Sequence, residues 1–278
     1  MDIYYSPGGG FGHVTRARAF IHEKGMDTGE ILILSTSLET ASVLKGLNYK
    51  IIPIEFETNI QKFQSWLKEL FISISASAIY IDSFPSGIIG ELNGLDYKFD
   101  HQFYIARILK ISSYKHLFKK DNYNFTTTFI IEKLPDEQMD FIKNNSLKIM
   151  DICLEYKNIQ ILEYFKYEDY SNIDWLIVHS GNDDEIISLY NYAKDLSFKE
   201  NLNPKLTLIS NHLPEILKAK VLHLNLYPAY PFYKYVNKII TGCGFNCINE
   251  TREYRHIHSC IPFERKYDDQ FFRKKNLK

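Results

Sequence analysis

The chain has 278 residues, of which 45% are hydrophobic and 24% are charged, a composition typical of a folded globular protein. Its 33 Lys and Arg residues balance 34 Asp and Glu residues, which excludes broad binding to nucleic acid or to an anionic membrane by charge alone. No stretch approaches the roughly 18 apolar residues of a membrane-spanning helix, and the N-terminus lacks a signal-peptide pattern. We therefore predict a cytoplasmic protein with no nucleic-acid partner and no transmembrane segment, and leave peripheral membrane contact through a local basic patch open.

Short apolar runs alternate with amphipathic segments through the first half of the chain. We predict strands at 3–5, 31–34, 50–54, 78–81, 103–106, 128–131 and 147–153, and helices at 14–24, 38–47, 60–72 and 136–144. Apolar runs of about four to six residues between amphipathic segments are typical of a parallel sheet that is covered on both faces.

A polar, Tyr-rich passage at 163–172 interrupts this pattern, which then restarts. Further elements are predicted at 175–178, 184–196, 205–209, 221–226, 231–236, 238–240, 245–254 and 258–261. The interruption places a domain boundary between residues 168 and 169. The sequence therefore predicts an α/β protein of two Rossmann-like, doubly wound domains, 1–168 and 169–278, that face each other across a cleft.

A glycine-rich turn follows the first predicted strand and reads Ser6-Pro7-Gly8-Gly9-Gly10-Phe11-Gly12-His13. Its glycines lack the Cβ atoms that keep a ligand away, and the N–H groups at the start of the next helix favour an anionic or polar group. His13 stands at that entrance. A tight turn with a helix-capping histidine is the structural alternative.

A second glycine turn lies near the other end of the chain, in Thr241-Gly242-Cys243-Gly244-Phe245-Asn246-Cys247-Ile248-Asn249-Glu250. Glu250 falls about two turns inside the helix that follows this turn. A later segment, Ile261-Pro262-Phe263-Glu264-Arg265-Lys266-Tyr267-Asp268-Asp269-Gln270, ends in two acids and an amide. Such side chains are hydrogen-bonding partners for hydroxyl groups.

The two glycine turns resemble those of glycosyltransferases of the GT-B fold, most closely glycosyltransferase family 28 and its uncharacterised bacterial relatives. Three further segments carry the likeness, namely Asp82-Ser83-Phe84-Pro85-Ser86-Gly87 with Glu91-Leu92, Tyr104-Ile105-Ala106-Arg107, and Val178-His179-Ser180-Gly181-Asn182. The resemblance covers nearly the whole chain. It implies an acceptor-side first domain and a second domain that binds the nucleotide-sugar donor.

The activity that this resemblance implies is transfer of a sugar, with inversion, from a nucleotide-diphosphate donor such as a UDP-sugar to an acceptor that the sequence does not identify. No metal and no other cofactor is implied. The implied donor-binding residues are Ser180, Gly181, Asn182, Gly242, Cys243, Gly244, Phe245, Glu250, Asp268, Asp269 and Gln270. Among them, Glu250 takes the ribose hydroxyls, and the acids and amide of 268–270 take the sugar hydroxyls.

On the acceptor side we predict that His13 is the general base, because imidazole, with an ordinary pKa of about 6.5, accepts a proton near neutral pH. Arg16 lies one helical turn later and projects to the same side, where it would hold an anionic acceptor or a phosphate. Gly10 and Gly12 complete the predicted acceptor site. Asp82 is predicted to orient His13 or to contact the acceptor, with plain turn chemistry as its alternative.

Three alternatives stay open at this stage. A zinc site would draw on Cys243, Cys247, His256, His258 and Cys260, but the paired C-x-x-C spacing is absent. A nucleotide-sugar hydrolase would use His13 to activate water, since the Gly-Phe-Gly-His-Val-x-Arg opening is similar to that of a hydrolase of nonulosonic acid biosynthesis. A non-catalytic nucleotide-sugar-binding protein would keep the fold without the reaction.

Overall fold

The computed structural model describes residues 1–8, 11–36, 43–44, 46–53, 59–118, 123–156 and 173–277. The chain forms two compact units. Unit 1 comprises Met1–Glu155 and Arg265–Phe272, and unit 2 comprises Tyr156–Glu264 and Arg273–Lys278. The predicted boundary at 168/169 and most of the predicted helix 38–47 lie outside the described residues. The structure differs from the predicted domains at Arg265–Phe272, which groups with the first unit.

Unit 1 contains a parallel sheet of seven strands. They are β1 (Asp2–Ser6), β2 (Ile31–Ser35), β3 (Tyr49–Ile51), β4 (Ala78–Asp82), β5 (His101–Ala106), β6 (Thr127–Ile130) and β7 (Ile149–Asp151), in the order β3-β2-β1-β4-β5-β6-β7. The helices are α1 (Phe11–Glu23), α2 (Ile60–Ser73), α3 (Ile111–Tyr114) and α4 (Asp136–Asn145), with a 3-10 helix at Lys115–Leu117. Every predicted strand overlaps an observed one. The two that were predicted too long are β3 and β7, the edge strands, which pair on one side only.

The helix α2 illustrates how the sequence builds this unit. Its buried residues Phe63, Leu67, Leu70 and Phe71 recur at the spacing of one helix face, and they join the core beside the sheet. The side chain of Asn59 accepts a hydrogen bond from the Lys62 amide and so caps the start of the helix. Local capping and the apolar stripe therefore specify the same element.

Unit 2 contains a parallel sheet of five strands. They are β8 (Trp175–Val178), β9 (Leu206–Ile209), β10 (Leu222–Leu224), β11 (Lys238–Gly242) and β12 (His258–Ile261), in the order β10-β9-β8-β11-β12. The helices are α5 (Asp183–Lys199), α6 (Phe245–Glu250) and α7 (Gln270–Lys275), with 3-10 helices at Glu215–Leu217, Tyr230–Tyr235 and Arg252–Tyr254. Among the described residues, no helix is long and apolar enough to cross a membrane.

The predicted element 245–254 is divided in the structure. The α-helix ends at Glu250, and a separate 3-10 turn covers Arg252–Tyr254. The reason lies at Thr251, whose hydroxyl donates to the Cys247 carbonyl at 2.6 Å and so competes with continued helical hydrogen bonding.

Candidate functional site

The first candidate site lies where the strand order of the unit 1 sheet reverses, between β1 and β4. β1 and β4 are neighbours, with Tyr5 beside Ile81, and the next strands in sequence lie on opposite sides of this pair. Ligands of doubly wound sheets bind outside the carboxyl ends of the strands at such a switch point. β1 ends at Ser6 and β4 at Asp82, so the residues that follow these two strands are the candidates.

His13, in the first turn of α1, contacts the carboxylate that ends β4. Its Nδ1 atom lies 2.6 Å from Asp82 Oδ2, and the Asp82 side chain is fully buried. Gly8, with φ of 139°, packs on the other edge of the ring, because a Cβ at this position would lie 2.5 Å from His13 Cδ2 and 2.6 Å from Nε2. Glycine is therefore required for the turn to approach the imidazole. Gly12 is exposed in the same first turn of α1, and the predicted site residue Gly10 lies outside the described residues.

Arg16 fixes the arrangement of this pair. Its Nε donates to Asp82 Oδ1 at 2.6 Å, and its Nη2 lies 2.5 Å from Asp82 Oδ2 and 3.0 Å from Ser83 Oγ. Nη2 also lies 3.0 Å from His13 Nδ1. The two hydrogens of Nη2 go to the oxygens of Asp82 and Ser83, so none is left for His13 Nδ1. Nδ1 is therefore assigned a proton of its own, which it donates to Asp82. In the neutral ring Nε2 then carries the lone pair.

The buried charges set the protonation states. Burial lowers the pKa of His13 to about 4, since the contact with Asp82 offsets only part of that effect and the Arg16 and Arg107 cations add to it. Burial alone would raise the pKa of Asp82, but Arg16 and His13 outweigh it and hold that pKa well below its usual range. At neutral pH the pair therefore consists of a neutral imidazole and an ionised carboxylate. The ordinary histidine pKa assumed from the sequence does not apply here.

Ser83, directly after Asp82, connects this pair to a second arginine. It adopts a φ of 69°, a strained conformation for a residue other than glycine, and strain of this kind clusters at functional sites. Its hydroxyl accepts a hydrogen bond from Arg107 Nε at 2.8 Å in addition to that from Arg16. Both arginine side chains are buried. Arg16 and Arg107 thus place two buried cations beside the His13 ring and the ionised Asp82 carboxylate.

The predicted donor-binding residues Asp268, Asp269 and Gln270 belong to unit 1, whereas the sequence assigned them to the second domain. Asp268 Oδ1 forms an ion pair with Arg107 Nη1 at 2.9 Å. Asp269 Oδ1 accepts a hydrogen bond from the Phe272 amide at 2.8 Å and so caps the start of α7. Gln270 is buried. Asp268 is therefore joined through Arg107 and Ser83 to the His13 pair.

The second candidate site lies at the switch point of unit 2, between β8 and β11, where Val178 pairs with Thr241. The predicted residues Ser180, Gly181 and Asn182 follow β8. The Asn182 side chain accepts a hydrogen bond from the Glu185 amide at 3.0 Å and caps α5, so its oxygen already has a structural role.

The second glycine turn, Gly242–Phe245, follows β11 at this same edge. The Cys243 amide donates to the carbonyl of Ile261, the last residue of β12, at 2.9 Å, which argues against its predicted place in the donor-binding site. Gly244 lies at the N-cap of α6. Glu250 is partly exposed and accepts a hydrogen bond from the Tyr233 hydroxyl at 3.3 Å, and burial raises the pKa of Glu250 to about 7.

The cysteine and histidine cluster has other partners. Cys243 and Cys260 are reduced and their sulfur atoms lie 2.7 Å apart. His258 Nε2 lies 2.9 Å from Thr241 Oγ1, and its Nδ1 lies 3.0 Å from Thr251 Oγ1. Burial lowers the pKa of His258 to about 3. Within the described ranges, no group of three or more His, Cys, Asp or Glu side chains is arranged to hold a metal ion.

Sequence reasoning missed three residues at these two edges. Arg107 appeared only as part of a segment of the family resemblance, although an Arg directly after a buried strand is a recognisable signal. His179 and Glu185 were not selected, and their side chains lie 2.7 Å apart across the end of β8 and the first turn of α5. Their spacing of six residues carries no motif, because it joins a strand end to a helix start.

No protein-family model and no curated protein matches the chain. Solved structures do match over nearly its whole length. A UDP-N-acetylglucosamine 2-epimerase from Rickettsia bellii superposes with a TM-score of 0.61 at 9% identity, covering 97% of this chain and 80% of that protein. Spinosyn forosaminyltransferase SpnP gives a TM-score of 0.59 at 9% identity, with 95% and 80% covered.

A plant protein, UGT73P12 from Glycyrrhiza uralensis complexed with glycyrrhetinic acid 3-O-monoglucuronide, matches equally well. Its TM-score is 0.59 at 10% identity, and the alignment covers 99% of this chain and 79% of that protein. At such identities the likeness concerns the fold. It confirms the predicted α/β class and the GT-B architecture of two Rossmann-like, parallel-sheet units.

Proposed function

We propose that this protein is a glycosyltransferase that moves a sugar from a nucleoside-diphosphate donor to a hydroxyl acceptor with inversion. The observation that carries the proposal is the buried His13–Asp82 pair at the switch point of unit 1. Its neutral imidazole holds a proton on Nδ1 and a lone pair on Nε2, which is the state that a general base requires. Asp82 is the orienting group of that base.

The reaction is a single displacement at the anomeric carbon of the sugar. The acceptor oxygen bonds to that carbon while the bond from the carbon to the diphosphate oxygen breaks, and the acceptor proton passes to His13 Nε2. The imidazolium that forms is stabilised by the adjacent Asp82 carboxylate, 2.6 Å away. The nucleoside diphosphate leaves with the bonding electron pair. Inversion follows from the one-step geometry.

We assign donor binding to the edge of unit 2 that carries Gly242 and Glu250. Three matched structures hold a nucleoside diphosphate: S. aureus MnaA with UDP, a Siraitia grosvenorii UGT transferase with UDP, and spinosyn rhamnosyltransferase SpnG with thymidine diphosphate, at TM-scores of 0.55, 0.53 and 0.51. Glu250, when ionised, accepts hydrogen bonds from two ribose hydroxyls. The residues 180–182 and 244–245 lie at the same sheet edge and complete the proposed donor site.

The acceptor-side role of Arg16 changes in this proposal. The sequence suggested that Arg16 holds an anionic acceptor, but its Nε and Nη2 atoms already donate to both oxygens of Asp82. We therefore propose that Arg16 is a positioning residue, which keeps Asp82 ionised and His13 in its Nδ1–H form. Gly8 packs on the Nε2 edge of the ring, so we propose that an acceptor hydroxyl approaches His13 beside this glycine.

Donor turnover tests the proposal. The protein is incubated with a panel of UDP- and thymidine-diphosphate sugars, with and without a mixed panel of hydroxyl acceptors, and released nucleoside diphosphate is measured. Release that depends on an acceptor supports a transferase. Release in water alone at the same rate would identify the hydrolase that the opening motif resembles, with water in place of the acceptor at His13. Binding without release would identify a nucleotide-sugar-binding protein.

A further inference from the structure

Two cysteine thiols contact each other at the edge of the unit 2 sheet. Cys260 lies in β12, beside Thr241 of β11, and Cys243 follows β11 in the second glycine turn. The Cys243 thiol donates a hydrogen bond to Cys260 Sγ, with the two sulfur atoms 2.7 Å apart. Both cysteines are reduced and buried. Neither thiol takes part in the proposed sugar transfer.

Main-chain contacts hold both cysteines in place. The Cys243 amide donates to the carbonyl of Ile261, the residue after Cys260, at 2.9 Å. The last turn of α7 contacts both cysteine carbonyls. Arg273 Nη1 donates to that of Cys243 at 2.9 Å, and Lys274 Nζ donates to that of Cys260 at 3.0 Å. The two thiols are therefore held against each other by the backbone around them.

Lys274 makes the two thiols chemically different. Its Nζ atom lies 3.6 Å from Cys260 Sγ. The hydrogen bond from Cys243 and the Lys274 cation lower the pKa of the Cys260 thiol, although burial opposes them. The pKa of Cys243 is raised, first by its hydrogen bond to Cys260 and then by burial. Because the thiolate is the nucleophilic form of cysteine, Cys260 is the thiol that reacts first.

Access to solvent favours the same residue. Cys260 keeps 5% of its surface exposed, whereas Cys243 keeps none. The pair packs with the apolar side chains of Ile248 and Leu277, which favours a small uncharged oxidant over a large charged one. Hydrogen peroxide is such an oxidant, since it is uncharged and little larger than water.

We propose that Cys243 and Cys260 are a redox-active thiol pair, which hydrogen peroxide converts into a disulfide between the second glycine turn and β12 and which a dithiol reductant restores. This chemistry goes beyond the proposed sugar transfer and does not depend on it. The pair is a site of reversible oxidation, with Cys260 as the attacking thiol and Cys243 as the resolving thiol.

The oxidation proceeds in two steps. The Cys260 sulfur attacks one oxygen of the peroxide and the O–O bond breaks, which leaves a sulfenic acid and a hydroxide that takes up the proton lost by Cys260. The Cys243 sulfur then attacks the Cys260 sulfur, the S–O bond breaks, and the hydroxide leaves as water with the Cys243 proton. Two thiols and one peroxide thus give one disulfide and two water molecules, as two electrons pass from sulfur to oxygen.

Peroxide treatment of the full chain tests the proposal. The protein is exposed to a small molar excess of hydrogen peroxide and unfolded in N-ethylmaleimide, and its mass is measured with and without prior reduction by dithiothreitol. Of the four cysteines, two are expected to escape alkylation in the oxidised protein, and all four are expected to react after reduction. A digest without reductant is expected to contain two peptides joined through Cys243 and Cys260.

Single serine variants separate the roles of the thiols. Cys247→Ser is the matched control, because it removes a free thiol of the neighbouring helix α6, and it is expected to form the cross-link at the native rate. Cys243→Ser removes the resolving thiol, so Cys260 is expected to stop at the sulfenic acid, which dimedone traps. Cys260→Ser is expected to give no dimedone adduct at Cys243.

Lys274→Gln tests the assignment of Cys260 as the attacking thiol. Loss of the cation lowers the thiolate fraction, so the rate of cross-linking at neutral pH is expected to fall by about three- to tenfold. Lys275→Gln changes the next exposed lysine of the same helix, and it is expected to leave that rate unchanged.

Four free thiols after peroxide treatment of the folded native protein would overturn the proposal. Oxidation confined to Cys153 or Cys247, or a product at Cys260 that dithiothreitol does not reduce, would also overturn it. A dimedone adduct at Cys243 without one at Cys260 in these variants, or equal rates in Lys274→Gln and Lys275→Gln, would reject Cys260 as the attacking thiol. All of these measurements are made without nucleotide, so their outcome is separate from that of the proposed function.

Discussion

The two sheet edges of this protein carry the same chemical pair in opposite charge environments. At the edge of unit 1, His13 and Asp82 are buried beside Arg16 and Arg107, and these cations favour a neutral imidazole and an ionised carboxylate. At the edge of unit 2, His179 and Glu185 lie 2.7 Å apart at the start of a helix that has three acids in its first turn. The comparison indicates that a histidine–carboxylate pair occurs here both among cations and among carboxylates, so the pair alone does not identify a general base.

The largest expected effect concerns the base. His13→Ala is expected to lower kcat by about 10²- to 10⁴-fold with little change in nucleotide affinity, because general-base catalysis contributes to the transition state and not to donor binding. Turnover and melting temperature are measured on one preparation. His22→Ala, at the exposed end of the same helix, is the control and is expected to leave both unchanged. A His13 variant that loses stability but keeps its activity per folded molecule would assign His13 a purely structural role.

The glycine beside the base provides the second test. Gly8→Ala places a Cβ within 2.6 Å of His13 Nε2, so we expect the ring to be displaced and kcat to fall by about 10²-fold, within the range attributed to acid–base catalysis. Gly25 also has a positive φ, of 58°, but a Cβ there meets nothing within 4 Å. Gly25→Ala is therefore expected to cost about 1 kcal/mol of stability and no activity. Equal activity losses in the two variants would argue that Gly8 matters only for backbone conformation.

The third prediction concerns pH at the edge of unit 2. Glu250 has a pKa of about 7 in the unliganded protein, and ribose binding requires its ionised form. Affinity for the nucleotide is therefore expected to rise about tenfold between pH 6 and pH 8, with release of a proton, and to be flat over that range in Glu250→Gln. Titrations in buffers of different ionisation enthalpy measure the proton. Equal pH dependence in the variant would move the effect to another group.

The sheets were predictable because buried parallel strands appear as uninterrupted apolar runs. The predicted segment 175–178, Trp-Leu-Ile-Val, is such a run and matches β8 to the residue. The contact between His13 and Asp82 was predicted, because a motif marks each of the two segments. The contacts of Arg107 with Ser83 and Asp268 were not predicted, because they depend on strand order and on the grouping of Arg265–Phe272 with unit 1, and neither property appears in local sequence.

Glu250 and His179 show a second limit of sequence reasoning. A helix after the second glycine turn was correctly predicted, but it ends at Glu250 and does not continue past it, and the raised pKa of Glu250 depends on burial that only the folded chain defines. His179 looked like an ordinary strand-end residue, since its environment is built by Gly181 and Gly242 from two different loops. The sequence shows the residue types, but it does not show the electrostatic environment that folding builds around them.

The smallest expected effect tests the electrostatic environment of His13 directly. The Arg107 cation is one of the groups that lower the pKa of His13. It donates a hydrogen bond to the Ser83 hydroxyl, which also accepts one from Arg16. Arg107→Gln removes the charge, so the pKa of His13 is expected to rise. Because the proposed base must be the neutral ring, the acidic limb of the kcat profile, at about pH 4 in the native protein, should move to higher pH by a fraction of a unit, while kcat above pH 7 changes little. The profile is measured at saturating donor so that Glu250 does not contribute.

Lys68→Gln is the control, because it removes an exposed lysine that is paired with Asp96, and it should leave the acidic limb in place. If the acidic limb of the kcat profile moves to lower pH, or moves equally in both variants, the buried charge of Arg107 does not set the pKa of His13.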